Sequence, residues 1–201
     1  MIRAAITRRK DTATGQNVGA MLDTTSGWGV YGRASRVSDL ERELSKHLVV
    51  RITNVLTSMD ICVVHLRRPI GSDGIEKQKN QCRALLKWAM RHLSGDPKAN
   101  LVILGDFNEG HPVGSDEQAL AVLFQAKPPM VDALGALSGK VTTHTDGKAY
   151  DRILVSDGIA KGLNRLKLER VVIQPHRHGK GEERRLYTDH FPVVAVVRLG
   201  R

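Results

Sequence analysis

Cysteine is scarce. Cys62 and Cys82 are the only two in 201 residues, too few for a disulfide framework, so a reducing, cytoplasmic setting is expected. Aromatic residues make up only 4% of the chain, and Trp28, Trp88 and the three tyrosines are too scattered to form a base-stacking platform. No apolar run approaches the roughly 20 residues that a membrane-spanning helix needs, so no membrane partner is expected. The opening stretch MIRAAITRRKDTATG has no hydrophobic segment long enough for a secretory signal. Internal repeats and low-complexity tracts are absent. Acidic residues are in deficit, 21 against 31 Lys and Arg, a formal net charge of +10. Such a surface attracts polyanions and speeds their capture without identifying them, and solubility alone would also explain it.

What is present is an ordinary globular composition, 41% hydrophobic and 26% charged. It fits a single domain over residues 1–201 with room for a substantial core. Residues 11–36, rich in Gly, Thr and Ser, read as loops around short strands, and residues 1–30 as an irregular or remodelled segment. Residues 48–56 and 60–66 read as β-branched strands with the turn at Thr57 and Ser58. Ile75, Cys82, Leu85, Leu86, Ala89 and Leu93 recur at helical spacing, predicting a helix over 75–93 opened by Ser72 or Asp73 and stopped by Gly95 and Pro97. The apolar run 100–105 reads as a strand covered on both faces. A second helix is expected over 115–125 with Ser115 as N-cap and Leu120, Leu123 and Phe124 buried. Further strands are expected at 140–145, 150–156, 170–174 and 191–198. Alternating strands and helices with hairpin-like pairs point to an α/β (α+β) sandwich of mixed sheets.

Polar residues stand at the ends of strongly apolar strands four times over: His65 in strand 60–66; Asp106 and Asn108 in Gly105-Asp106-Phe107-Asn108; Asp151 in Tyr150-Asp151-Arg152; and Asp189-His190 before the last strand. Each alone has a plain explanation, as a satisfied histidine, an Asx turn or a local ion pair. One common cause explains all four better, because functional groups gather where strand ends meet loops. Asp106, Asn108 and Asp189 supply hard oxygen ligands of the kind Mg²⁺ or Mn²⁺ takes. His190 and His65 titrate near neutrality, suiting one to accept a proton from water and the other to protonate or bond an oxygen. Asp151 is placed to orient His190. Together these are the minimum kit for phosphodiester hydrolysis.

At these residues the chain resembles the endonuclease/exonuclease/phosphatase superfamily. The matching segments are Val64-His65-Leu66, Leu104-Gly105-Asp106-Phe107-Asn108, Tyr150-Asp151-Arg152-Ile153-Leu154 and Thr188-Asp189-His190-Phe191-Pro192-Val193, in order and spacing over roughly residues 30–198. Thr142-Thr143 before Tyr150-Asp151-Arg152-Ile153, together with His65, is most similar to the deoxyribonuclease I branch. The resemblance implies two packed mixed β-sheets flanked by helices in a four-layer sandwich. It implies His190 as general base, Asp151 as its orienting partner and His65 as the second catalytic histidine. Asp106 and Asn108 would hold metal and phosphate, with Asp189 as a further metal ligand. The family's early Asn-bearing strand and Gln-Glu strand have no counterpart: no Gln-Glu pair occurs, and Asn17 sits on no convincing strand. The fold is therefore expected to be N-terminally shortened or remodelled. Glu41, Glu43 or Glu109 would stand in for the missing ligand, or a second copy of the chain would complete the shortened lobe.

Arg67, Arg68, Thr143, Tyr150 and Arg152 are the expected substrate contacts, since arginine forks match phosphate geometry. The basic loop His176-x-His178 to Arg185 would line a nucleic-acid groove or be solvated. His144 reads as strand packing or a minor contact, and His111 as turn structure or a near neighbour of the site. The expected function is a Mg²⁺-dependent nuclease with nucleic acid, in particular DNA, as partner. The alternatives are a phosphatase, a lipid or inositol phosphodiesterase of the same superfamily, and a non-catalytic member that binds nucleic acid or protein.

Overall fold

The computed structural model describes residues 2–6, 18–23, 25, 27–35, 40, 43–44, 46–109, 119–125, 127–138, 141–174 and 190–200. Its centre is a six-stranded mixed sheet of β3 (Gly29–Ser35), β4 (His47–Thr53), β5 (Ser58–His65), β6 (Leu101–Asp106), β7 (Met130–Asp132) and β8 (Asp151–Ser156), in the order β3-β4-β5-β6-β8-β7. Two antiparallel ribbons accompany it, β1 (Ile2–Ile6) with β2 (Gly19–Asp23), and β9 (Leu166–Ile173) with β10 (Val193–Leu199). The described helices are α1 (Gly71–Gly95), α2 (Asp157–Lys161) and 3-10 turns at Ala119–Gln125 and Ala133–Ala136. None is long and apolar enough to cross a membrane.

The large sheet is covered on both faces, as its continuous apolar strands require. Cys82, Leu85, Trp88, Ala89 and Leu93 of α1 pack with Leu120 and Leu123 on one face, against Cys62, Val64, Leu101, Ile103 and Leu154. Full burial of one such leucine stabilises by roughly 1.5–3 kcal/mol. On the other face Val102, Ile153 and Val155 meet Leu166 and Val171 of β9, while Val18, Ala20 and Leu22 pack by β4 residues Leu48, Val50 and Ile52. The expected sandwich of two sheet layers flanked by helices is present. Its second layer consists of two ribbons that share no ladder among the described residues.

Several boundaries move. β4 ends at Thr53, and the turn is Asn54–Thr57, not Thr57–Ser58. The Asn54 side chain accepts the Leu56 and Thr57 amides at 2.8 and 2.9 Å, leaving Val55 99% exposed. Helix α1 starts at Gly71, earlier than expected, with Ile70 as an extended N-cap and no side-chain cap. Asp73 lies in its first turn, bonded to Lys77 at 2.7 Å, and Ile75 is 43% exposed instead of buried. Residues 119–125 form a 3-10 turn with Leu120 and Leu123 buried, Phe124 being only partly so, while Ser115 lies outside the described residues. Residues 141–145 are no strand. The Thr143 and His144 amides both bond the Lys148 carbonyl, at 2.9 and 3.1 Å, because Asp146-Gly147 turns the chain with Gly147 at φ 84°. Strand β7 and helix α2 were not anticipated.

Candidate active site

Register builds the site. β5 and β6 run parallel, joined by α1, so their C-terminal ends lie side by side with His65 opposite Asp106. β8 runs antiparallel to β6 and begins where β6 ends, placing Asp151 opposite Asp106. Three neighbouring strands thus carry His65, Asp106 and Asp151 in one row.

The turn after β6 is held from several sides. Gly105 has φ 134°, and a Cβ there would sit 2.0 Å from the Val64 carbonyl oxygen, so only glycine lets β6 approach β5 this closely. Asn108 adopts the left-handed conformation, φ 50°, which asparagine tolerates. Its amide donates to Asp106 Oδ1 at 2.7 Å and its Nδ2 to the Leu66 carbonyl at 2.9 Å. The buried Gln78 of α1 donates to the Phe107 carbonyl at 2.8 Å and the Asn108 carbonyl at 3.2 Å. Gln78 was missed in the sequence, although a glutamine on the buried stripe of an amphipathic helix is itself a signal.

His190 enters from the segment before β10. Its Nδ1 lies 2.7 Å from Asp151 Oδ2. The approach is fixed by an antiparallel bridge between His144 and His190 and by the Phe191 amide donating to the Thr143 carbonyl at 2.6 Å. His65 Nε2 stands 3.4 Å from Asp106 Oδ2. Burial raises the Asp106 pKa and the Asp151 charge adds to this; the Asn108 amide, His65 and His190 oppose it. The side chains of His65, Asp151 and His190 therefore all lie within electrostatic reach of Asp106. Asp151 and His190 also line an open cavity of about 320 Å³ with Gly105, Phe191 and Pro192.

The outer residues divide. Tyr150 reaches the site margin: its hydroxyl donates to Asp146 Oδ2 at 2.8 Å. Burial raises its pKa, the Asp146 carboxylate raises it further, and the nearby Arg68 guanidinium opposes both. Arg68 is thereby placed beside Tyr150. Arg67 is exposed, its amide bonded to Gln81 Oε1 at 2.8 Å, and its charge acts on Asp73 at the start of α1. Two expected substrate contacts are corrected. Arg152 is 1% exposed and paired with Asp132 Oδ2 at 3.2 Å, because the strand alternation that turns Asp151 to the site turns its neighbour into the core. Thr143 is fully buried, and its hydroxyl accepts the Asp151 amide at 3.0 Å, which positions Asp151 instead of meeting substrate.

Glu109 is also corrected as a stand-in metal ligand. It is 2% exposed, and its Oε2 accepts the Ala119 amide at 2.6 Å. Glu43 is exposed and its carbonyl accepts from Gln81. Glu41, His111, Asp189 and the loop His176–Arg185 lie outside the described residues. Among the described residues no group of three His, Cys, Asp or Glu side chains is arranged to hold a metal. The donors present still suit a hard divalent cation. Asn108 Nδ2 is committed to the Leu66 carbonyl and stands 3.4 Å from Asp106 Oδ2, so the side-chain oxygen is the atom of Asn108 left to ligate a cation together with the half-buried Asp106 carboxylate. Mg²⁺ ordinarily takes only one or two carboxylates, the rest being water and phosphate.

No family profile matches the chain, and no curated protein matches it in sequence. Solved structures do. The human Nocturnin catalytic domain with bound sulfate superposes with a TM-score of 0.67 at 14% identity, covering 98% of this chain and 72% of that one. D. rerio TDP2 complexed with a single-strand DNA product gives 0.64 at 12% identity, covering 98% and 77%. An endonuclease/exonuclease/phosphatase protein from Beutenbergia cavernae gives 0.62 at 16% identity, covering 99% and 53%. The chain has the endonuclease/exonuclease/phosphatase fold, the deoxyribonuclease I-like sandwich.

Proposed function

We propose that the chain is a metal-dependent phosphodiester hydrolase acting on nucleic acid, with DNA as the favoured substrate. The observation that carries this reading is the 2.7 Å contact between His190 Nδ1 and Asp151 Oδ2, set in the row formed by His65 and Asp106. The bond to Asp151 favours the tautomer with hydrogen on Nδ1, so Nε2 carries the lone pair that takes a proton from water. Asp151 then stabilises the imidazolium, as an orienting carboxylate does in a hydrolase triad. As water oxygen bonds to phosphorus, its proton passes to His190 and the bond from phosphorus to the ester oxygen breaks. That leaving oxygen takes a proton from His65, with Asn108 binding a non-bridging oxygen. Mg²⁺ or Mn²⁺ would be held by Asp106 and Asn108, with Asp189 as the further carboxylate, and would polarise a phosphoryl oxygen as a Lewis acid.

The choice of nucleic acid rests on the formal charge of +10 and on Arg68 beside Tyr150 at the site margin. The D. rerio TDP2 complex offers a precedent for this fold with a DNA product. A substrate panel tests the reading. Supercoiled plasmid, a soluble phosphomonoester and a phosphoinositide are each incubated with the protein and Mg²⁺ or Mn²⁺. Plasmid nicking that chelator abolishes is expected to exceed release from the other two. Faster phosphate release from the monoester or the phosphoinositide would move the assignment to a phosphatase. Plasmid binding without any hydrolysis would leave a nucleic-acid binder.

A further inference from the structure

His144 belongs to a second histidine–aspartate pair built against the first. Its ring stands edge-on to His190, with centroids 4.8 Å apart and planes at 85°, and edge-on to Tyr150 at 5.1 Å. Asp146 ties the group together: Oδ1 lies 2.9 Å from His144 Nδ1 and Oδ2 accepts the Tyr150 hydroxyl at 2.8 Å. The Asp146 amide also lies 3.1 Å from the same Nδ1. The hydrogen bond runs from the Asp146 amide to Nδ1, so this nitrogen accepts, and the carboxylate stands beside it. The backbone adds rigidity, since His144 and His190 are bridged and Thr142 Oγ1 donates to the His144 carbonyl at 2.9 Å. A packing residue needs no hydrogen bond on its ring nitrogen. This ring is held in angle as well as in place.

Building on the reading of His190 as the proton acceptor, we propose that His144, oriented by Asp146, is a positioning residue that fixes the plane of the His190 imidazole. Asp151 holds Nδ1 of that imidazole, and the His144 ring packs across it at 85°; together they set the direction of Nε2 toward the attacking water. Misplacing a reacting group by about 1 Å can cost on the order of a hundredfold in rate. His144 acts through His190 and touches no reacting atom.

The test compares wild type, H144A and H144F by kinetics on plasmid DNA and by proton NMR of the His190 Nδ1 proton, assigned with H190A. H144A is expected to lower kcat about tenfold or more with KM little changed, and to broaden or remove the downfield Nδ1 signal. H144F, which keeps a ring but loses the Asp146 bond, is expected to restore only part of each, and full recovery would overturn the orienting role of Asp146. Wild-type kcat and an intact signal in H144A would overturn the proposal. So would a raised KM at unchanged kcat, which marks a substrate contact, or a kcat loss matching only the unfolded fraction seen by circular dichroism. If the wild type cleaves no phosphodiester, the hydrolase reading fails, and the NMR signal alone decides the positioning role.

Discussion

Replacing Asp151 with Asn probes the centre of the site with little disturbance of the fold. The Asp151 amide bonds Thr143 Oγ1 at 3.0 Å and its strand is paired with β6, so the backbone is held independently of the carboxylate. What changes is the partner at 2.7 Å from His190 Nδ1. An asparagine that turns its amide nitrogen to Nδ1 forces the hydrogen onto Nε2, and the imidazole can no longer take a proton from water. One that turns its oxygen keeps the tautomer but no longer stabilises the imidazolium. General base catalysis contributes roughly 10² to 10⁴ in rate, so kcat for plasmid nicking should fall within that span. At 1.36 kcal/mol per decade this is about 2.7–5.4 kcal/mol of activation free energy. KM should hold, because Asp151 is not assigned to substrate binding. The assay is initial nicking rate against plasmid concentration, with thermal melting as a folding control. A folded D151N protein within threefold of wild type would refute the orienting role.

Three further predictions concern the scaffold. D106N should abolish nicking yet raise stability at pH 7 by about 1 kcal/mol in urea unfolding, as relief of a strained functional site commonly does. Because burial first, and then Asp151, raise the Asp106 pKa, folding opposes its ionisation. The wild-type stability contribution is fully present below the ordinary Asp pKa and is lost as pH rises through the folded value, so the D106N gain should vanish near pH 4; a gain that grows on acidification would contradict this. R152A should destabilise by about 3–5 kcal/mol, because it strands Asp132, whose own pKa burial already raises, without its partner; a loss under about 1 kcal/mol would show that Asp132 is solvated. G105A should cost on the order of 3 kcal/mol by clash and strain, read as a lowered urea midpoint, and an unchanged midpoint would mean that β6 can shift.

The row of His65, Asp106 and Asp151 was legible because its strands are. Segments around His65, Asp106 and Asp151 are continuous β-branched or apolar runs, and residues that end such runs fall where strand ends meet loops. The pairing order that sets them side by side was not legible, since it depends on α1 carrying the chain between parallel β5 and β6. Arg152 was misread although its signal was present: period-two alternation must turn it away from the face that Asp151 uses. The strand around Thr143-His144-Thr145 was misplaced because the alternation resembles a strand, whereas Asp146-Gly147 just beyond marks a turn. Glu109 could not have been placed from sequence. Its carboxylate caps the Ala119 amide, a contact made only when the chain folds back. Strand β7, three residues long and preceded by Pro128-Pro129, leaves no periodic trace.

If His190, held by Asp151, removes the proton from the water that attacks phosphorus, supercoiled plasmid is nicked in Mg²⁺ by the wild type, and folded H190A, at equal concentration and saturating substrate, nicks it about a hundredfold or more slowly. Equal rates in the two proteins would contradict it.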